Sequence, residues 1–266
     1  MSKPLFGVDI SYHKGNIDFT RLSKNVEFVI IRAGYGQGNV DKKLHEYIEG
    51  CIANNIPYGF YWFSYASSIQ MAISEAKYFA DIIKNYRPTL PVFFDYEESS
   101  KLSNDINWTT ISNMAASFIN TMAYYGYHCG IYCDNNHYEN YAKAFEGSVP
   151  IWYARYNTGN KVYNTHSLWQ YSETGKVDGI TGRVDMNYCY IDFLGKENNS
   201  TNKDEIDEEK TKKLIDANNK NLSNYILVAK DIISGKYGNG NERKNNLKLA
   251  GYDYRFAQEV VNILLK

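Results

Sequence analysis

The chain has no surplus of charge: 29 Lys and Arg stand against 30 Asp and Glu, a net charge of -1. Without a basic field there is no broad electrostatic case for binding nucleic acid or an anionic membrane. Long apolar runs are missing too. No stretch reaches the length of a membrane span, so membrane insertion is not expected. No basic start followed by an apolar stretch opens the chain, so a signal peptide is not expected either. The four cysteines, Cys51, Cys129, Cys133 and Cys189, fit neither a paired zinc ribbon nor a CxxC redox motif. Cys129 and Cys133 share a face of one expected strand but lie too far apart along it to bond easily. Reduced thiols made in a cytosol are the simpler reading. HExxH and paired His ligands are also lacking, so no metal and no cofactor are expected. A Mg²⁺ or Ca²⁺ site built from acids alone remains the competing reading.

Tyrosine, by contrast, is abundant at 25 residues. Aromatic faces pack against the C–H faces of sugars, and Tyr adds a hydrogen-bonding tip. A composition rich in Asn, Lys, Ile and Tyr also follows from AT-rich coding, so the count alone decides nothing.

Four carboxylates carry more information. Asp9 follows Leu5-Phe6-Gly7-Val8, Asp95 and Glu97 follow Leu90-Pro91-Val92-Phe93-Phe94, and Asp185 sits in Val184-Asp185-Met186-Asn187. A buried strand ending in an acid is costly unless that acid reaches a polar site. Three such strands imply a fold that gathers the acids in one cleft, where they can protonate a bond and stabilise charge.

Residues 1 to about 195 alternate short apolar runs with helical patterns. Strands are expected at 5–10, 27–33, 57–64, 91–97, 128–133, 149–153, 167–171 and 184–190. From Asn107, the set Ile111, Met114, Ala115, Phe118, Ile119 and Met122 has helical spacing. A second helix carries Ala72, Ala76, Phe79, Ala80 and Ile83 and ends before Arg87-Pro88. Such alternation means parallel βαβ units. After about 147 the helices run out while strands continue, which suggests a barrel incomplete on one side, with its chemistry at the C-terminal strand ends.

Residues 196–222 have linker composition, polar and mixed in charge. Residues 223–266 read as a unit of three short helices. Leu222, Ile226, Ala229 and Ile233 form the first stripe, roughly 241–249 the second helix, and Asp253 caps a third that buries Phe256, Val260 and Ile263 or Leu264. Seven Lys and Arg less four Asp and Glu give this unit +3.

Asp95 and Glu97, at i and i+2 of one expected strand, should emerge on the same face. Two nearby carboxyls cannot both ionise freely, so one is held as a proton donor beside a carboxylate. Glycosidic cleavage needs that pairing.

Gly7-Val8-Asp9-Ile10-Ser11 with Gly15-Asn16-Ile17-Asp18-Phe19 resembles the opening of glycoside hydrolase family 25, the lysozyme-type N-acetylmuramidases. Similar to that family in the same order are Phe28-Val29-Ile30-Ile31-Arg32-Ala33, Pro57-Tyr58-Gly59-Phe60-Tyr61-Trp62, Val92-Phe93-Phe94-Asp95-Tyr96-Glu97, Leu168-Trp169-Gln170-Tyr171-Ser172 and the Asp185 segment. The resemblance covers about 1–195. It implies an irregular (β/α)5(β)3 barrel of the TIM type and hydrolysis of the β-1,4 bond between N-acetylmuramic acid and N-acetylglucosamine. On it, Glu97 is the general acid and then base, and Asp95 orients the substrate's 2-acetamido group or carries charge during ring closure. Asp9 and Asp185 complete the acidic floor. An alternative makes Asp185 a direct nucleophile or electrostatic stabiliser. Tyr61, Tyr132 and Trp169 match the family's sugar-contacting aromatics, with core packing as the competing reading for each. Arg32 could contact the acids, and His13 reads as a loop residue.

Ile233-Ser234-Gly235-Lys236-Tyr237-Gly238-Asn239-Gly240, Glu242-Arg243 and Leu249-Ala250-Gly251-Tyr252-Asp253-Tyr254 resemble a short cell-wall-binding repeat of some phage lysozymes. That resemblance implies a three-helix module recognising the muropeptide backbone of peptidoglycan, with Arg243 as the ligand-contacting candidate. A single copy should bind weakly unless chains pair or the barrel adds avidity. The three divisions are therefore 1–195 barrel, 196–222 linker and 223–266 wall-binding repeat. The expected protein is an endolysin held in the host bacterial cytoplasm until release and then acting at the cell wall. A bacterial autolysin of the same activity, a non-catalytic wall- or chitin-binding protein and a chitinase-like enzyme are the competitors.

Overall fold

The computed structural model describes residues 3–101, 106–159, 161–191 and 193, and later 228–250, 252, 254, 257, 258 and 261. Contacts divide the chain into two compact units, Met1–Asn198 and Asn199–Lys266.

Strands of the first unit are β1 (Leu5–Ile10), β2 (Phe28–Tyr35), β3 (Asn39–Val40), β4 (Tyr58–Phe63), β5 (Val92–Asp95), β6 (Cys129–Asp134), β7 (Ile151–Ala154), β8 (Leu168–Gly175) and β9 (Val184–Cys189). They pair in the order β1-β9-β8-β7-β6-β5-β4-β2-β3, and β1 also pairs with β2. All except the two-residue β3 therefore close into an eight-stranded barrel. Its helices are α1 (Phe19–Leu22), α2 (Leu44–Ala53), α3 (Ile69–Ile83), α4 (Trp108–Tyr124) and α5 (Asn135–Asn140). Each described helix precedes β7, so the irregular (β/α)5(β)3 architecture expected from the sequence is present.

The helices form where apolar spacing and caps agree. The Asn107 side chain accepts from the Thr110 amide at the start of α4, and the six apolar positions named above are buried. The Ser68 side chain caps α3 through the Met71 amide, and Ala72, Ala76, Phe79, Ala80 and Ile83 are buried. Inside the barrel, Phe28, Ile30, Leu90, Phe93, Trp152 and Leu168 form an apolar plug. Gly7 belongs to that layer because a Cβ there would come within 2.6 Å of the Phe28 ring. The polar residues occupy the next layer up.

Within the eight-stranded barrel, one strand departs from the parallel pattern. β9 is antiparallel to both β1 and β8, with Asp9 opposite Asp185. Asp185 is thus near the start of its strand, not the end as the sequence pattern suggested. Reversal of β9 brings its beginning to the rim where the parallel strands finish.

All four cysteines are buried, and Cys51, Cys129 and Cys133 are free thiols. Burial pushes the Cys51 thiol up to about 12 and raises Cys129 and Cys133 as well. Among the described residues, no helix is long and apolar enough to cross a membrane.

In the second unit, a helical segment at 228–233 and α6 (Gly240–Leu249) are described. Their core holds Val228, Ala229, Ile232, Leu247, Ala257 and Val261, with Tyr237, Tyr252 and Tyr254 packed against it. The first stripe is corrected here: Ile233 is 45% exposed and Ile232 is buried. Leu222, Ile226, Asp253, Phe256, Val260, Ile263 and Leu264, and the linker 196–222, lie outside the described residues or side chains.

Candidate active site

At the C-terminal rim of the parallel strands lies a cleft of about 990 Å³. Asp9, Asp95, Glu97 and Asp185 all line it, together with Tyr61 and Tyr132. The fold therefore brings together six of the seven barrel residues proposed for the site.

Asp9, fifth of the six β1 residues, points inward and is 6% exposed. Its Oδ2 accepts from the side-chain amides of Gln170 and Asn187, each at 2.8 Å. Burial, then the charge of Asp185, pushes the Asp9 carboxyl up to about 7, against the pull of those two amides and Lys14. Asn187 is itself fixed by accepting from Trp152 Nε1 at 2.8 Å. Gln170 accepts from the Tyr132 hydroxyl at 2.9 Å and from the Tyr156 hydroxyl. Asp185 pairs with Lys14 at 3.1 Å.

Asp95 ends β5, and Glu97 lies beyond it, not on the same strand as expected. A reciprocal turn holds Glu97: its amide donates to Ser100 Oγ at 2.9 Å, and the Ser100 amide donates back to the Glu97 carbonyl at 3.0 Å. Burial lifts Asp95 well above the usual carboxylate range, with the charges of Glu97 and then Asp9 adding to it. Asp95 Oδ1 is buried without a hydrogen-bond partner among the described residues. Glu97 is also raised, chiefly by burial. The expectation that like-charge repulsion lifts one of the two is corrected on both counts. Burial dominates, and both rise.

Tyr61 and Tyr132 stand on the plug, edge-on to Trp152 at 5.9 and 4.7 Å between ring centroids. They offer a hydroxylated aromatic floor. Trp169 is not part of it. Alternation along β8 sends Gln170 inward and Trp169 outward, where its Nε1 donates to the Arg155 carbonyl at 2.9 Å and its ring packs against Tyr163 and Tyr171. Core packing on the outer face of the barrel is its role.

Arg32 lies within β2 and lines the cleft, but its Nε donates to Asp41 at 2.8 Å, and its guanidinium lies over the Tyr12 and Tyr35 rings. His13 occupies a 3-10 turn, Tyr12–Lys14, with its ring against Tyr12. Among the described residues, no group of three or more His, Cys, Asp or Glu could hold a metal ion.

Arg243 in the second unit is half-buried and bonded within that unit. It donates to the Gly238 carbonyl at 3.0 Å, to Asn239 Oδ1 at 2.9 Å and to Gln258 Oε1 at 3.0 Å. These bonds staple the glycine turn to Gln258, a structural duty that the sequence did not reveal.

Sequence reasoning missed Gln170 and Asn187, the two residues that fix Asp9. Their signal was a buried amide inside an apolar strand, which needs a polar partner. Asp134, Arg155 and Tyr156 also line the cleft.

Comparison with known proteins gives this geometry a context. Residues 8–180 match the model of glycosyl hydrolases family 25, and residues 227–265 match a CW_7 repeat. An autolytic lysozyme of Clostridium acetobutylicum is 26% identical over 182 residues, covering 68% of this chain and 54% of that protein. A lysozyme of Streptococcus phage Cp-7 is 27% identical over 232 residues, covering 81% and 59%. The chain thus spans little more than half the length of these two relatives. The catalytic domain of endolysin ply40 from bacteriophage P40 of Listeria monocytogenes superposes with a TM-score of 0.62 at 26% identity, covering 74% of this chain and 98% of that one.

Proposed function

The chain belongs to the glycosyl hydrolases of family 25, and from that membership we propose that its cleft cuts the β-1,4 bond between N-acetylmuramic acid and N-acetylglucosamine in peptidoglycan. The observation that carries the proposal is the convergence of Asp9, Asp95, Glu97 and Asp185 on one sugar-sized hollow from three distant strands and a loop. Burial lifts Asp9 to about 7 and Asp95 well above the usual carboxylate range, so both hold a proton more tightly than an exposed acid.

Glu97, half-buried and raised, gives its proton to the leaving glycosidic oxygen and then withdraws one from water. Asp95, which lines the cleft, orients the 2-acetamido group, whose oxygen closes on the anomeric carbon in place of a protein nucleophile. Asp185, held by Lys14, supplies negative charge near the oxocarbenium-like centre. Asp9, buried at the floor of the cleft, keeps Gln170 and Asn187 in register beneath the sugar. Tyr61 and Tyr132 form the platform.

The second unit adds attachment to the wall, as its match to a CW_7 repeat supports. Storage in the host cytoplasm until release, followed by action at the wall, belongs to the same proposal and is tested by fractionating lysing cells.

Mass spectrometry of fragments released from purified Gram-positive peptidoglycan tests the bond. New reducing ends on N-acetylmuramic acid are expected; reducing N-acetylglucosamine, or no release at all, refutes the assignment. Deleting 223–266 should weaken pulldown by wall while leaving turnover of soluble muropeptides intact, and unchanged pulldown would reject the attachment role.

A further inference from the structure

Beside the cleft, α5 begins with a couple that the reaction above does not use. Asp134 ends β6, lines the cleft and caps α5: its Oδ1 accepts from the His137 amide at 2.8 Å. The same oxygen meets His137 Nδ1 at 2.7 Å. Capping needs only the amide, so the ring bond is an additional device. The His137 ring is 2% exposed, and its Nε2 has no hydrogen-bond partner among the described residues. Around it stand Tyr96, Trp108 and Tyr141, all near edge-on, at 6.4, 5.3 and 6.2 Å between centroids.

We propose that the Asp134–His137 couple is a positioning element for Glu97, linking the protonation of that acid to a second titrating group buried next to the cleft. Tyr96 packs against His137 and immediately precedes Glu97 in the chain, so the couple adjoins the acid through one residue. Electrostatics agrees with the placement. Of the influences that hold Glu97 down against burial, the His137 charge is the largest, while Asp134 opposes it. The His137 bond in turn is the main cause that lowers Asp134. The titratable groups facing the ring are Asp134 from β6, Tyr96 and Glu97 from the segment after β5, and Tyr141 from the end of α5. Trp108 from α4 adds an uncharged wall. His137 acts through Glu97 and touches no substrate.

This inference takes the identity of the acid from the proposed function, so its test includes a reading that does not need turnover. In the full chain, the carboxyl carbon of Glu97 is followed by ¹³C NMR against pH, beside the pH profile of kcat/KM on soluble muropeptides. With His137→Gln, removal of positive charge is expected to move the Glu97 midpoint and the basic limb of the profile up by roughly half a pH unit or more. An activity merely scaled down, with both midpoints unmoved, overturns the proposal and leaves His137 a packing residue. If His137→Gln does not fold, the reciprocal experiment decides. Coupling is symmetric, so Glu97→Gln is expected to make the His137 ring, followed by its own NMR signals, take its proton at lower pH than in the unaltered chain. An unchanged His137 titration overturns the link. An inactive chain whose Glu97 and His137 signals still move together refutes the muramidase reading and sustains the coupling.

Discussion

Asp9 and Asp185 are direct partners across the β1–β9 pairing, yet their carboxyls have different surroundings. Asp9 is enclosed and held by two amides; the Asp185 side chain is 24% exposed and answered by Lys14. One register position therefore supplies both a carboxyl that resists ionising and an ion-paired carboxylate facing the cleft. Antiparallel β9 makes this possible, because neighbouring residues on one inner face lie about 5 Å apart across such a pair.

Asp9→Asn separates stability from activity. The folded carboxyl is raised from 3.8 to about 7. Its stabilising contribution is thus fully present below pH 4 and is lost as pH rises through 7. Asparagine keeps the shape and removes the charge, so the variant should be more stable than the wild type at pH 7.5 by about 1–3 kcal/mol. That margin should vanish near pH 4. Hydrolysis should fall roughly 10²-fold or more. Calorimetry at the two pH values, with turnover on muropeptides, checks both parts.

Glu97→Gln should raise the melting temperature modestly near neutral pH, because burial raises this carboxyl too, and leave wall pulldown unchanged while lowering kcat by roughly 10²–10⁴. Retained lysis would mean that another residue donates the proton.

Glu75 provides a control away from the cleft. This buried residue of α3 accepts from Gln37 Nε2 at 3.1 Å and from the Tyr65 amide at 3.2 Å, and burial pushes it up to about 7. Its contribution also disappears as pH rises through 7. Glu75→Gln should therefore gain about 1–2 kcal/mol at pH 8 and little at pH 4, with turnover retained. Denaturant melts at the two pH values measure the difference.

Arg243→Ala should lower the stability of the second unit by about 1–3 kcal/mol, because three carbonyl or amide oxygens lose their donor. The barrel transition should not move. Separate calorimetric transitions distinguish this outcome from loss of a wall contact, which would weaken pulldown without changing either melting temperature.

Much of this arrangement was legible in the chain before any coordinates. Phe118 and its neighbours on α4 were readable because helical spacing and an Asn cap point to the same answer. Asp9 and Asp95 stood out because an acid at the end of an apolar run needs a destination. Asp185 was found for a partly mistaken reason: local pattern does not encode strand direction, and the reversal of β9 depends on pairing with β1 and β8. Trp169 went astray because resemblance supplied its role, whereas alternation from Gln170 decides its face. Gln170 and Asn187 stayed hidden since their duty depends on a carboxylate more than 150 positions away. Arg243 looked unemployed because its partners are a turn carbonyl and two amide side chains, none of which advertises itself by charge.

The enclosed thiols have a practical consequence. Only thiolates attack maleimides at useful rates, and Cys51, Cys129 and Cys133 are each raised by burial, with Cys189 enclosed as well. A single cysteine introduced on the exterior, for instance in place of the exposed Tyr124, would accept a fluorophore with little background from the native four. Single-molecule tracking on a bacterial sacculus would then need no cysteine-free mutant.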